Sequence, residues 1–336
     1  MYALFRQCLF ALEAERSHDL TLAAFAALSR LPGSARPAPG RPRRLFGIEF
    51  PNAVGLAAGL DKDARAVLGF ARMGFGHIEV GTLTPRPQPG NPKPRLFRLP
   101  AHRAIINRMG FNSGGVAAAT LRLDQLRQGG RLDGVVLGVN VGKNKDTPLE
   151  AAADDYVTGM AAVYGSADYL TLNLSSPNTP GLRTLQSQAA LVPLLERVAD
   201  AGAGLAQRHG RRVPVLLKIA PDLVAEDLDI IAAAARDCGI DGIIATNTTI
   251  TRPGIAGDRH GGEAGGLSGA PLTPLALSTL VALRARVGPD FPLIGVGGID
   301  SEADGRARLD AGADLLQIYT GFVYHGPRLV RALARL

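Results

Sequence analysis

A chain of 336 residues with 46% apolar and 20% charged residues can bury a large core and is too apolar for a disordered tract. Its two cysteines, Cys8 and Cys238, lie far apart and form no CxxC, so the spacing offers no zinc site or iron–sulfur cluster and fits a reducing compartment. The formal charge of +7 suits an anionic substrate, phosphates or an anionic lipid surface and also permits RNA, while no apolar run approaches the roughly 18–20 residues of a membrane span and the first residues show no signal-peptide cleavage pattern.

Leu4/Phe5, Cys8/Leu9 and Leu12 repeat at helical spacing, as do Leu20, Ala23/Ala24, Ala27/Leu28 and Leu31. Ser17 is placed as the N-cap of the second helix. Residues 1–31 are thus predicted to form a helical hairpin, and 32–44, with Pro37, Pro39 and four arginines, a linker. Two uses of the hairpin are open. It packs on the main domain as an accessory, or it lies in a membrane interface with its apolar stripes in lipid and the arginines near anionic head groups.

From about residue 50 one theme repeats. Apolar runs at 53–58, 77–80, 135–139, 169–172, 213–217, 242–245, 293–296 and 315–318 each end in polar or glycine residues, and helical segments such as 64–73, 150–164, 188–208, 225–237, 274–286 and 302–311 separate most of them. Strands alternating with helices imply a parallel sheet, and eight units favour a closed (β/α)₈ TIM barrel over a doubly wound open sheet. A barrel gives the endings meaning, because its active site lies at the C-terminal rim of the strands. Lys62, Asn140, Asn173, Lys218, Asn247 and Thr248 would share that rim. Each alone is explained as a cap, turn residue or solvated charge; a ring of amides and lysines is not.

The stretch 173–183, Asn-Leu-Ser-Ser-Pro-Asn-Thr-Pro-Gly-Leu-Arg, follows the fourth run. Pro177 and Pro180 stiffen it, and its amides and hydroxyls can read a flat polar ring. Taken alone it could equally be a turn that caps the next helix. Gly297-Gly298 after the seventh run and Thr320-Gly321 after the eighth match a barrel phosphate site, to which the Gly265–Gly269 segment could add N–H donors. No GxGxxG opens a helix after the first strand, which argues against a Rossmann nicotinamide site.

Four motifs carry a resemblance: Ala58-Gly59-Leu60-Asp61-Lys62, Asn107-Arg108-Met109-Gly110-Phe111-Asn112, the whole of 173–183, and Gly295-Val296-Gly297-Gly298-Ile299. Together they resemble the dihydroorotate dehydrogenase family along essentially the whole chain, and the hairpin resembles its class 2, quinone-reducing branch. The resemblance implies an FMN-binding catalytic barrel over residues 45–336, with dihydroorotate oxidised to orotate in pyrimidine synthesis. It makes Ser176 the base at C5, where the soluble class has Cys, with flavin N5 accepting hydride from C6. Thr179 and a water near Phe111 would relay the proton. A serine hydroxyl is a poor base at neutral pH and no His stands in the loop, so rates should rise with pH.

By the same resemblance Asn107, Asn173, Asn178, Asn247 and Thr248 bind the substrate ring. Lys62 holds its carboxylate, and the segment Arg108-Met109-Gly110-Phe111 contributes. FMN is assigned to Ala58, Gly59, Leu60, Asp61, Lys62, Thr82, Asn140, Asn173, Lys218, Thr246, Gly269, Gly298, Tyr319 and Thr320, with Lys218 near N1/O2, where negative charge develops on reduction. His18 and Arg103 resemble the polar pair beside the quinone. The implied protein is a monomer, peripheral on the cytoplasmic face of the cell membrane, holding lipid through the hairpin, with no nucleic-acid partner and no iron–sulfur subunit. Three rivals stand beside this reading: a soluble relative using another acceptor, a flavin barrel acting on RNA, and a phosphate-binding barrel serving as a membrane scaffold. The first would lack the hairpin or carry Cys as base, the second would want a Cys acid and an RNA-binding domain, and the third leaves the asparagine ring unexplained.

Overall fold

The computed structural model describes residues 2–33, 35–132 and 134–336, Ala3 by its backbone alone; Met1 of the expected hairpin and Ser34 of the expected linker lie outside the described residues. The chain begins with helices α1 (Tyr2–Phe10) and α2 (Ala14–Leu28), then a small antiparallel ribbon, β1 (Arg43–Leu45) and β2 (Ile48–Phe50). Next come β3 (Val54–Leu56), α3 (Val67–Ala71), β4 (His77–Leu83), β5 (Leu96–Leu99), β6 (Ala104–Asn107), α4 (Val116–Gln128), β7 (Val136–Val141), α5 (Ala152–Val163) and β8 (Tyr169–Asn173). The second half holds α6 (Gln188–His209), β9 (Val215–Ile219), α7 (Ala225–Asp237), β10 (Gly242–Ala245), β11 (Gly266–Gly269), α8 (Thr273–Val287), β12 (Leu293–Val296), α9 (Glu302–Asp310), β13 (Leu315–Ile318), α10 (Thr320–His325) and α11 (Pro327–Ala334).

Among the described residues, β3, β4, β7, β8, β9, β10, β12 and β13 close into one parallel barrel in that order. These are the eight apolar runs of the sequence. Both faces of such strands are covered, one by helices and one by the barrel interior, so they read as continuous apolar stretches. The lower interior is filled by Phe50, Val136, Tyr169, Leu216, Ile244, Ile294 and Leu315. Phe50 belongs to the β1–β2 ribbon and meets His77 edge-on at 5.4 Å, so the ribbon plugs the N-terminal end. Arg43 and Arg44, assigned to the linker from their composition, therefore lie in a strand. Glycine makes room for the large interior rings: a Cβ on Gly55 would fall 2.1 Å from the His77 ring, and one on Gly138 2.1 Å from Tyr169.

At the opposite, C-terminal end, β5, β6 and β11 form an antiparallel sheet that the sequence reading did not contain. Leu96–Leu99 lies between Pro94 and Pro100, and such flanks mimic a loop; prolines are tolerated because they fall outside the paired positions. Helix α3 is shorter than the expected 64–73. The Asp61 carboxylate accepts the N–H groups of Arg65 and Ala66 at 2.8 and 2.7 Å, which holds the chain out of the helix until Val67.

The hairpin docks on the barrel. Phe25 stacks on Phe70 at 4.4 Å, Ser29 Oγ accepts the Gly69 N–H at 2.8 Å, and the Tyr2 hydroxyl donates to Val323 O at 2.7 Å. Its N-cap differs from expectation. Glu13 accepts the N–H groups of Glu15 and Arg16 at 2.9 Å, whereas Ser17 lies inside α2 and donates to Leu9 O. A glutamate can cap when its longer side chain folds back, which the Ser/Thr/Asp/Asn preference overlooks. Leu4, Phe5, Leu12, Leu20 and Leu31 remain exposed. Among the described residues no helix is long and apolar enough to cross a membrane.

Candidate active site

The parallel register sets Asn173 beside Lys218 and Asn140 beside Thr171, so strand-end side chains converge although they are far apart in sequence. The resulting cavity, about 1020 Å³ including its open mouth, is lined by Ala58, Gly59, Lys62, Thr82, Asn107, Met109, Gly110, Phe111, Asn173, Ser176, Asn178, Lys218, Thr246, Asn247, Thr248, Gly269, Gly298, Tyr319 and Thr320, all expected from the sequence.

The amides are held by one another and by hydroxyls. Asn173 Nδ2 donates to Thr82 Oγ1 at 2.9 Å, and its Oδ1 accepts from Ser175 Oγ at 3.0 Å and Asn247 Nδ2 at 3.3 Å. Asn247 Nδ2 also reaches Ser175 Oγ at 2.9 Å. Asn178 Nδ2 donates to Asn107 Oδ1 at 3.3 Å, which joins the loop after β8 to the covering sheet. Ser176 Oγ accepts the Asn178 N–H at 3.3 Å, and among the described residues no side-chain base bonds it. Thr179 is buried with its Oγ1 unpartnered. A hydroxyl in that state is free to bond a water.

Beneath the cavity lies a polar layer that the sequence reading missed. Glu79, wholly buried, accepts from Asn140 Nδ2 at 2.8 Å, Tyr169 OH at 3.2 Å and Gln317 Nε2 at 2.8 Å. Asn140 is thus placed below the cavity rather than in its wall, with its Oδ1 accepting from Thr82 Oγ1 at 2.5 Å. The available signal was a carboxylate alternating with Ile78 and Val80, which points it to the barrel interior.

Both lysines are perturbed. Burial pulls the Lys218 ammonium below its ordinary pKa, against the opposing pull of Glu79. Burial, aided by the Arg95 cation, lowers Lys62 to about 8. In both, nearby carboxylates oppose the lowering: Glu79 at Lys218, and Asp63, Glu15 and Asp19 at Lys62.

Three features of the cavity suit a flat polar ring carrying a phosphate. Its amides and lysines offer donors and acceptors, Ala57, Val296 and Ile318 supply apolar side chains, and Gly297, Gly298 and Gly321 let backbone line the cavity. Gln317 Oε1, in that lining, is buried without a partner. The donor set therefore fits a phosphorylated heteroaromatic cofactor.

Other expected residues are placed elsewhere. Leu60 faces a second cavity, Asp61 caps backbone, and Arg108 pairs with Glu263 at 2.7 Å and covers the Phe97 ring. The second cavity lies under the hairpin and is almost wholly apolar, walled by Tyr2, Phe5, Leu9, Phe10, Phe25, Leu60, Met73, Leu96, Phe322 and Val323. His18 lines it, its pKa pulled to about 3 by burial and by the Lys62 cation, so the imidazole is neutral. Arg103 does not. Its side chain is 54% exposed and pairs with Asp300. Two arginines line the cavity instead, Arg6, which donates to Tyr324 O at 2.7 Å, and Arg98, whose guanidinium lies 4.7 Å from the Phe10 ring centre and donates to Leu9 O at 3.0 Å. Arg98 shares a strand face with Leu96 by the period of two, a signal hidden because β5 itself was not foreseen. Tyr319 lines both cavities.

A barrel with its polar site at the C-terminal rim, glycines after the last two strands and a separate apolar cavity defines a cofactor-dependent barrel enzyme. A sequence model described as dihydroorotate dehydrogenase matches residues 42–335, and this chain belongs to that family, which works through a flavin. Proteins named dihydroorotate dehydrogenase (quinone) are 52% identical in Methylibium petroleiphilum, over 99% of this chain and 97% of the relative, and 53% identical in Alkalilimnicola ehrlichii, over 100% and 98%. A crystal structure of DHODH from Eimeria tenella in complex with ferulenol superposes with a TM-score of 0.89 at 41% identity, covering 95% of this chain and 89% of that one.

Proposed function

We propose that the chain oxidises dihydroorotate to orotate with FMN and passes the electrons to a membrane quinone. The observation that carries this is the meeting of Asn107, Asn173, Asn178, Asn247 and Thr248 with Lys62, Lys218 and Ser176 around one cavity, backed by an apolar cavity that shares Tyr319 with it. Amides read the alternating carbonyl and N–H edges of the substrate ring, and the Lys62 ammonium holds its carboxylate. FMN, when bound, supplies the acceptor for the hydride from C6. Its phosphate is assigned to the Gly297-Gly298 wall with Gly269 and Thr320, and its ring to Ala58, Gly59, Thr82, Thr246, Lys218 and Tyr319.

Ser176 takes the C5 proton on Oγ and gives up its own hydroxyl proton through Thr179 and a water beside Phe111. Thr179 Oγ1 is buried and unpartnered, which suits a relay. A serine base without an imidazole works better as pH rises. Quinone reaches the second cavity from lipid, past Leu4, Phe5, Leu12 and Leu20, which the hairpin exposes. The protein is accordingly peripheral on the cytoplasmic side and needs no second chain to complete its site.

The purified protein should be yellow, bleach anaerobically with dihydroorotate and recover with a quinone. Ser176→Ala should keep its FMN and lose turnover by at least about 100-fold. Bleaching by the variant at the parent rate would remove Ser176 as base, and recovery with fumarate but not quinone would remove the acceptor.

A further inference from the structure

Arg183 closes the motif 173–183 and does not line the polar cavity. It is the second residue of the 3-10 turn Leu182–Gln186, and its guanidinium reaches back to the loop that carries Ser176. Nε donates to Ser175 O at 3.1 Å, Nη2 to Thr248 O at 2.9 Å, and Nη1 to Asp222 Oδ2 at 2.8 Å. These acceptors belong to three loops, those following β8, β10 and β9. Asp222 is tied in turn to the loop after β10. It accepts from Thr249 Oγ1 and from the Ile250 N–H at 3.1 Å, and buried Thr249 exchanges backbone hydrogen bonds with Leu267 of the covering sheet at 3.1 and 2.8 Å.

The bond to Ser175 O bears directly on the reacting group. It fixes the peptide plane between Ser175 and Ser176, while Ser175 Oγ is held by Asn173 and Asn247. Without this clasp the backbone at Ser176 would keep only the flanking prolines, the Ser175 hydroxyl bonds and contacts to Asn178 of 3.1–3.3 Å from Asn91 Nδ2, to Ser176 Oγ and to Asn107 Oδ1. Only guanidinium has donors diverging from one rigid plane toward three acceptors; an ammonium on the same stem is a single point.

We propose that Arg183, braced by Asp222, is a positioning residue that locks the loops after β8, β9 and β10 into the register in which Ser176 faces the substrate. This rests on the dihydroorotate reading for its kinetic consequence but not for its mechanical one. Displacing a reacting group by about 1 Å costs roughly 100-fold in rate. Arg183→Met should therefore slow anaerobic bleaching by dihydroorotate about 100-fold, and Asp222→Asn, which keeps a neutral acceptor, about tenfold. Both should retain FMN and recover their colour with quinone at the parent rate. Arg183→Lys should remain impaired.

Protease cleavage within 174–182, followed on the FMN-loaded protein without substrate, should accelerate in Arg183→Met. This readout stands even if dihydroorotate proves to be the wrong substrate, in which case the parent itself would not bleach. Three results overturn the inference: bleaching of Arg183→Met within about threefold of parent, equal loss of both half-reactions together with FMN, or unchanged cleavage of the loop.

Discussion

Glu15 ties the hairpin to the barrel, and replacing it by alanine isolates that tie. Its carboxylate meets Arg95 at 2.8 Å, with the two side chains 6% and 8% exposed, and Arg95 Nε adds contacts of 3.2 Å to both oxygens. Lys93 approaches Oε1 at 3.2 Å but is 63% exposed, so solvent screens it to at most about 1 kcal/mol. Arg95 would keep its bonds to the carbonyls of Pro89 and Asn91 at 2.7 and 2.8 Å but lose its counter-charge. An uncompensated buried cation costs about 3–5 kcal/mol. Glu15→Gln keeps one neutral acceptor and should lose about 2 kcal/mol. Urea denaturation reads the total, and hydrogen exchange along α2 locates it, because the pair joins α2 to the segment before β5. The pH dependence has a definite sign. Burial pushes the Glu15 carboxyl up, but hydrogen bonds from Arg95 and Lys93 outweigh it and hold it below its ordinary value. Such a group stabilises the fold above its unfolded pKa, about 4.3, and the contribution fades as pH falls through the lower folded value. Parent docking should persist at pH 5 and weaken below about pH 4, a dependence absent from Glu15→Gln. Stability of Glu15→Ala within about 0.5 kcal/mol of parent at pH 7 would refute the assignment of a buried charge pair.

Three further outcomes follow from the site. With Lys62 lowered to about 8, the cation proposed to hold the substrate carboxylate is lost above that pH, so KM for dihydroorotate should rise about tenfold between pH 7 and pH 9; steady-state kinetics across that range test it, and Lys62→Met should abolish the dependence. A Cβ on Gly298 would lie 2.4 Å from the N and Cα of Thr273, at a φ of +71°. Gly298→Ala must therefore shift backbone and adopt a left-handed conformation costing about 1–2 kcal/mol, and the absorbance of the purified protein should report FMN loss. Arg98→Leu should raise KM for quinone roughly tenfold, the loss of one charge-assisted hydrogen bond, with bleaching by dihydroorotate unchanged in stopped flow.

The barrel was legible because each of its strands is buried on both faces and ends abruptly at a polar rim. The register that brings Asn173 to Lys218 follows from closure, so residues scattered over two hundred positions could be assigned to one mouth. What stayed hidden depends on long-range neighbours. Nothing local distinguishes Leu96–Leu99 from a loop between prolines; it becomes a strand because Ala104–Asn107 pairs with it and Gly266–Gly269 pairs with that. With β5 hidden, the sequence gives Arg98 no face, and the resemblance points to Arg103, which Asp300 holds outside the cavity. Glu79 was passed over for a related reason: a carboxylate in an apolar run is intelligible only once Asn140, Tyr169 and Gln317 are known to aim donors at it.

The two cavities require opposite surroundings, and the fold meets this by separating their covers. The polar cavity is closed by loops after β8, β9 and β10, cross-tied through Arg183 and Asp222. The apolar one is closed by α1 and α2, tied through Glu15 and Arg95. These ties share no residue, and distant changes without common partners act additively. Arg183→Met should then impair the reaction with dihydroorotate, Arg98→Leu the reaction with quinone, and the double variant both by the product of the single effects. Tyr319 is the exception because it lines both cavities. Burial raises its hydroxyl to about 12, so the side chain stays neutral and serves both sites as a wall. Tyr319→Ala should breach that wall and depress both half-reactions at once. Independent loss in only one of them would mean the cavities are divided by some other group.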